Sequence, residues 1–257
     1  MRLVRFCCCV VFACAALIPA STALAVTTVN FGTVSQFTGP ADLNLDPANV
    51  VYAVNFSNND PDLTINGVTF LHDRQVIPGF SSVGPNQVTP WQNKPEYGAG
   101  ADNDNLEQMM NDIRWANAGG GQSLTASADV TAGNDYRLQL LISGNHPESR
   151  NWDIRVEGAD AVDEITSLGE SGETYDVGRS TVYTTDIIGS DGQINVEMGN
   201  FFGANDGGDR NPIWQGLIVT DITQAAPVPE PGSIIVFLIV AVIGIAGASF
   251  ARRRQRR

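Results

Sequence analysis

Tyr136, Leu138, Leu140 and Ile142 alternate with Arg137, Gln139, Leu141 and Ser143. A period of two is the signature of a strand with one face turned into a core. The same alternation places Trp152, Ile154 and Val156 against Asp153, Arg155 and Glu157, and Ile194, Val196 and Met198 against Asn195 and Glu197. Strand formers also run from Val50 to Phe56 and from Leu217 to Ile222. Between Leu63 and Phe70, two short runs flank Asn66-Gly67, the dipeptide favoured in two-residue hairpin turns. Many short strands punctuated by Gly, Asn and Asp predict a mainly β chain, an antiparallel β-sandwich.

One helix is expected within it. Leu106, Met109, Met110 and Ile113 fall on one helical face. They predict a helix over 106–116, capped by Asp104 or Asn105, stopped at Gly119–Gly121, with the methionine pair in the core.

The two ends obey different rules. Arg2 and Arg5 precede an apolar run from Phe6 to Ile18, and Ala23-Leu24-Ala25 offers a small-x-small cleavage site. Residues 1–25 therefore read as a signal peptide. Acylation at Cys14 is the alternative, opposed by the bulky Phe12. Residues 233–251 carry no charge, and as a helix they would extend about 28 Å, enough to span a bilayer core. Residues 252–257 form a basic tail expected on the cytoplasmic side. All four cysteines lie in the signal segment, so the exported domain, 26–226, has no disulfide. Between the ends stand eight basic and 27 acidic residues, a net charge of −19. That balance repels nucleic acid and anionic membrane surfaces.

Residues 227–232 contain Pro229-Glu230-Pro231, followed by the apolar span and the arginines. This succession resembles the PEP-CTERM protein-sorting signal of Gram-negative bacteria. The resemblance implies recognition by an exosortase, a membrane-embedded cysteine transpeptidase-like enzyme, with cleavage near the motif. The helix would then be a temporary anchor, and the domain would finish at the cell surface or in the extracellular matrix. Two prolines fit such a role, because they keep the peptide extended at the membrane surface.

A second resemblance covers Asp135 to Ile222. The order "YRLQLLIS", "SRNWDIRVEG", "NPIWQGLIVTDI" is similar to malectin-like domains within the galactose-binding-like jelly rolls, with Arg150-Asn151-Trp152-Asp153-Ile154 at the place of an Arg-x-Phe-Asp strand. It implies a jelly-roll fold and a capacity for sugar binding. No binding residue carries over by motif.

Catalytic constellations are scarce. His72 and His146 stand apart, without metalloprotease or nucleophile-elbow context, and are expected in exposed turns. Asp153 and Glu157 share a strand face, but roughly 13 Å separates their backbones, so they read as surface charge around Arg155 rather than paired glycosidase acids. For glycan stacking the candidates are Trp91, Tyr97, Trp115, Phe201 and Phe202, if their segments meet at one rim; Trp152 and Trp214 are assigned to the core. No cofactor is expected beyond a structural calcium, for which the candidates are Asp102, Asp104, Asp206 and Asp209 in two Asn/Asp-rich loops. The resulting expectation is a non-enzymatic surface or matrix protein that contacts extracellular polysaccharide. The alternative is a polysaccharide-acting enzyme on the same sandwich. An ice-binding role lacks the regular Thr-rich repeat it would need.

Overall fold

A computed structural model describes residues 28–30, 32, 34–56, 61–88, 95–142, 151–166, 180–201 and 210–223. The signal segment, the Pro229–Pro231 motif, the 233–251 span and the basic tail lie outside these residues. Among the described residues, no helix is long and apolar enough to cross a membrane.

From the N-terminal side the strands are β1 (Val29–Asn30) and β2 (Val34–Phe37), then, after a 3-10 turn at Pro40–Leu43, β3 (Val50–Asn55). The hairpin of β4 (Leu63–Ile65) and β5 (Val68–His72) leads to β6 (Phe80–Val83) and β7 (Asn86–Val88). Helix α1 (Ala101–Met110), β8 (Ile113–Trp115) and β9 (Leu124–Asp129) follow, then β10 (Asp135–Ile142), β11 (Asn151–Val156) and β12 (Ala159–Thr166). The chain closes with β13 (Ser180–Ile188), β14 (Gln193–Gly199), β15 (Ile213–Trp214) and β16 (Gly216–Asp221).

Two sheets make the sandwich. The larger has the order β1-β13-β10-β16-β3-β5-β4, with β2 also on β13; the smaller is β12-β11-β14-β9-β6. The third sheet, β15-β8-β7, has three short strands. Among the described residues every ladder is antiparallel except β3–β5, which is parallel over Val54↔Leu71 and Asn55↔His72. Alternate residues of both sheets meet in the main core: Leu138, Leu140, Leu217 and Val219 from the larger, Trp152, Ile154, Val196 and Met198 from the smaller. Phe56 stacks on Trp214 at 4.3 Å between ring centres. Trp152 and Trp214 are thus core residues, as their strand positions predict.

The larger sheet is also buried on part of its other face. There Leu141, Val182, Ile218 and Ala53 pack with Leu106, Met109 and Met110 of α1, with Phe37 and Leu43, and with the β4–β5 hairpin. This second core explains why the second face of β10 changes from polar at Arg137 to apolar at Leu141.

Two expectations need correction. The helix begins earlier and ends sooner than 106–116. It starts after Gly100, whose φ of 130° suits glycine, and Asn111 N–H bonds to Gln108 O to close it at Met110. Ile113, Arg114 and Trp115 continue the apolar spacing yet form β8, because they find strand partners on both sides, in β7 and β15. Ile113 is buried, but in the main core rather than under the helix. His72, expected in an exposed turn, is instead the last residue of β5 and half-buried, and its neighbour Asp73 is not exposed either. The Asp73 side chain is 1% exposed and pairs with Arg114, which in turn donates to Gly84 O at 3.0 Å. Burial pushes the Asp73 carboxyl up, against the pull of Arg114.

Candidate functional site

In β11, Trp152, Ile154 and Val156 point into the main core. Asp153 and Arg155 therefore face outward. Cross-strand register extends this outer face as rows over the smaller sheet. One row runs from Arg155 through Glu197 and Thr125 to Val83; the next holds Asn195, Ser127 and Ser81. Short hydroxyl and amide side chains leave space above the strands, and a cavity of about 420 Å³ lies there, bounded by Arg155, Glu197 and Gly158. Its volume falls in the range of small-ligand clefts, about 300–1,000 Å³.

Phe201 sits beside this groove. Its ring covers Gly199, where a Cβ would come within 2.8 Å of the ring atoms, so only glycine leaves room for it. The Arg155 guanidinium lies 4.0 Å from the ring centre, in cation–π contact. Asp153 holds the backbone there by accepting the Phe201 N–H at 2.5 Å. That bond, with the ring alongside, explains why Asp153 is only 1% exposed although it points outward. Asp153 is a buried acceptor, not surface charge.

Glu157 also differs from its expected surface role. With Gly158 it makes the two-residue turn between β11 and β12, and both have positive φ, 54° and 70°. Its carboxylate accepts the N–H of Asn195, at the edge of the groove. Burial pushes the Glu157 carboxyl up, and the Asn195 bond pulls it back in part.

The other sequence candidates are dispersed. Tyr97 is half-buried on the side of the second core, stacked on Phe37 at 5.7 Å, with its hydroxyl bonded to Ser180 and its N–H to Glu107 at 2.7 Å. Burial pushes its phenol well above the ordinary value. Trp115 is in β8, partly buried against the main core. Of the candidate aromatics among the described residues, Phe201 is the one in contact with a groove residue, Arg155. Trp91 and Phe202 lie outside the described residues, as do His146 and Arg150. Of the calcium candidates, Asp102 and Asp104 occupy the first turn of α1, where acidic groups complement the helix dipole. Asp206 and Asp209 lie outside the described residues. Among those described, no three His, Cys, Asp or Glu side chains are grouped to hold a metal ion.

No protein-family profile matches the sequence, and no characterised protein matches it either. The fold has known counterparts. It superposes on the ANX1 ectodomain of Arabidopsis thaliana with a TM-score of 0.52 at 17% identity, over 71% of this chain and 52% of that one. For the ANX2 ectodomain of the same plant the TM-score is 0.50 at 17% identity, over 71% and 53%. These are malectin-like ectodomains, so the malectin-like resemblance holds at the level of fold. The chain spans about half the length of each of these ectodomains.

Proposed function

We propose that this is an exported, non-enzymatic protein of the cell surface or extracellular matrix that binds neutral polysaccharide in the groove over the smaller sheet. The observation that carries this is the groove itself: a floor of Ser81, Ser127, Thr125 and Asn195, with the Arg155–Phe201 pair at its side. Hydroxyls and amides serve both as donors and as acceptors to sugar hydroxyls, and the guanidinium plane adds a flat polar surface. The net charge of −19 disfavours acidic glycans. The likeness to receptor ectodomains supports an outward-facing domain.

Delivery rests on the ends of the chain. An exosortase would act at Pro229-Glu230-Pro231, while 233–251 holds the protein in the membrane until processing. Replacing the three residues by alanine should leave a larger, membrane-retained species on immunoblots; normal processing would refute the sorting role.

Binding is tested on a glycan array with the purified protein, the Arg155→Ala variant and the groove-filling Ser127→Trp variant. We expect saturable binding to one class of neutral glycan, weakened at least tenfold by either substitution. Equal binding by all three would remove the groove from consideration. Release of reducing ends from the bound glycan would replace the binding role with the enzymatic one.

A further inference from the structure

The second core covers only part of the outer face of the larger sheet. On β10, Leu141 is in that core, whereas Gln139 and Arg137 line a separate cavity of about 360 Å³. Cross-strand register sets Gln139 beside Thr184 and Arg137 beside Asp186. The Arg137 Nε and one terminal nitrogen reach the two Asp186 oxygens at 3.0 and 3.5 Å.

The walls are built, not incidental. Both β1 and β2 pair with β13, at Asn30↔Asp186 and at Val34↔Tyr183, and Gly32 passes between those contacts. A Cβ on Gly32 would lie 1.3 Å from Thr184 O, so this residue must be glycine for the chain to lie against the strand. The Thr185 hydroxyl ties down the Asn30 carbonyl beside it. Another wall comes from the 3-10 turn. Asp42 there accepts the Thr38 N–H at 2.8 Å and its hydroxyl at 3.1 Å, and Asn44 bonds to Asp42 O at 3.3 Å.

Gln139 decides what such a cavity wants. It is 5% exposed and it lines the cavity. Its amide brings two donors and an acceptor to the lining. The Arg137 charge is already answered by Asp186, and Asp42 adds a negative charge, so an anion is disfavoured. With no group of three metal ligands among the described residues, a cation is not better served. A neutral polyol matches this lining, since it offers both donors and acceptors without net charge.

We propose that this cavity is a second glycan subsite for a neutral hexose unit, on the opposite sheet from the groove at Arg155, so that one chain holds two polysaccharide strands. The proposal rests on the glycan-binding reading above. Two sites on opposite faces cannot close on one short oligosaccharide, so their combined effect is to bridge separate strands.

The test is calorimetric titration of the full-length chain in nanodiscs with neutral tetrasaccharides of β-1,4-glucan, α-1,4-glucan, β-1,4-mannan and β-1,4-galactan. We expect two equivalents bound per chain for the preferred sugar. Ser35→Trp, which fills the second cavity from an exposed strand position, and Arg137→Gln, which empties its ion pair, should each reduce this to one. Ser127→Trp should also leave one, and Ser35→Trp with Ser127→Trp none. Melting curves matched to the parent protein show that a lost site is not a lost fold, and the two second-cavity variants check each other. One equivalent, abolished by Ser127→Trp and unchanged by Ser35→Trp, overturns the second subsite and keeps the first. One equivalent with the reverse pattern keeps the second and overturns the groove. No binding of any of the four sugars overturns both.

Discussion

Glu157 occupies left-handed backbone, φ 54°, a region in which Asn44 and Asn66 are ordinary occupants but glutamate is not. Its bond to the Asn195 N–H compensates, and the resulting burial raises its carboxyl above the ordinary 4.5. The folded state therefore holds this proton more tightly than the unfolded chain. Its contribution to stability is complete at low pH and is lost as pH rises from the unfolded value through the raised folded one. Glu157→Gln keeps an acceptor for Asn195 and removes the titration. In urea melts from about pH 4 to about pH 8, the parent should lose stability relative to this variant as pH rises, then run parallel to it. A difference that stays flat across the range would show that burial does not shift the group. Asp153 shows what residue-level reading reaches and where it stops. Alternation along β11 gives its outward direction. Its cover comes from Phe201, 48 positions later, and no local pattern reports such a contact.

Short elements were legible where local chemistry left one solution. Asn66 and Gly67 both have positive φ, 48° and 78°, between Ile65 and Val68, which pair directly. The Asn66 amide also reaches Pro40 O at 2.9 Å, tying the hairpin to the 3-10 turn. Gly67→Ala should cost about 1 kcal/mol or more, since alanine must adopt left-handed backbone there. An unchanged urea midpoint would mean that the turn relaxes to another type. The helix was harder. Its periodic residues run on through Ile113, and nothing in the spacing marks the break at Met110. The break comes from β7 and β15, which offer Ile113–Trp115 a place in a sheet. The parallel β3–β5 ladder was likewise invisible, because strand patterns carry no direction. The candidate groove is partly readable: Phe201, which touches its Arg155, is a sequence candidate, but the lining residues Ser81, Ser127 and Asn195 carry no signal as isolated small polar residues. Gln139 reads from the sequence only as a member of a mixed strand face.

At the scale of the whole molecule, the larger sheet separates two cores and belongs to both. Leu138 and Leu140 face the smaller sheet while Leu141 faces α1; Leu217 and Val219 face one way and Ile218 the other. Adjacent residues of the same strands thus hold both layers, so the helical layer cannot be loosened without straining the sandwich. A chain built this way should unfold in one cooperative step rather than shed α1 first. Met109→Ala removes a fully buried side chain from the second core, Ile154→Ala one from the main core. Each should cost about 2–5 kcal/mol. The sharper expectation concerns shape. Trp152 and Trp214 report the main core by fluorescence, and far-ultraviolet circular dichroism reports the whole. For both variants the two signals should share one midpoint. If Met109→Ala instead gives an early loss of dichroism ahead of the fluorescence change, the helical layer is a separate folding unit, and the walls of the Gln139 cavity, which share Val182 with that layer, would open with it.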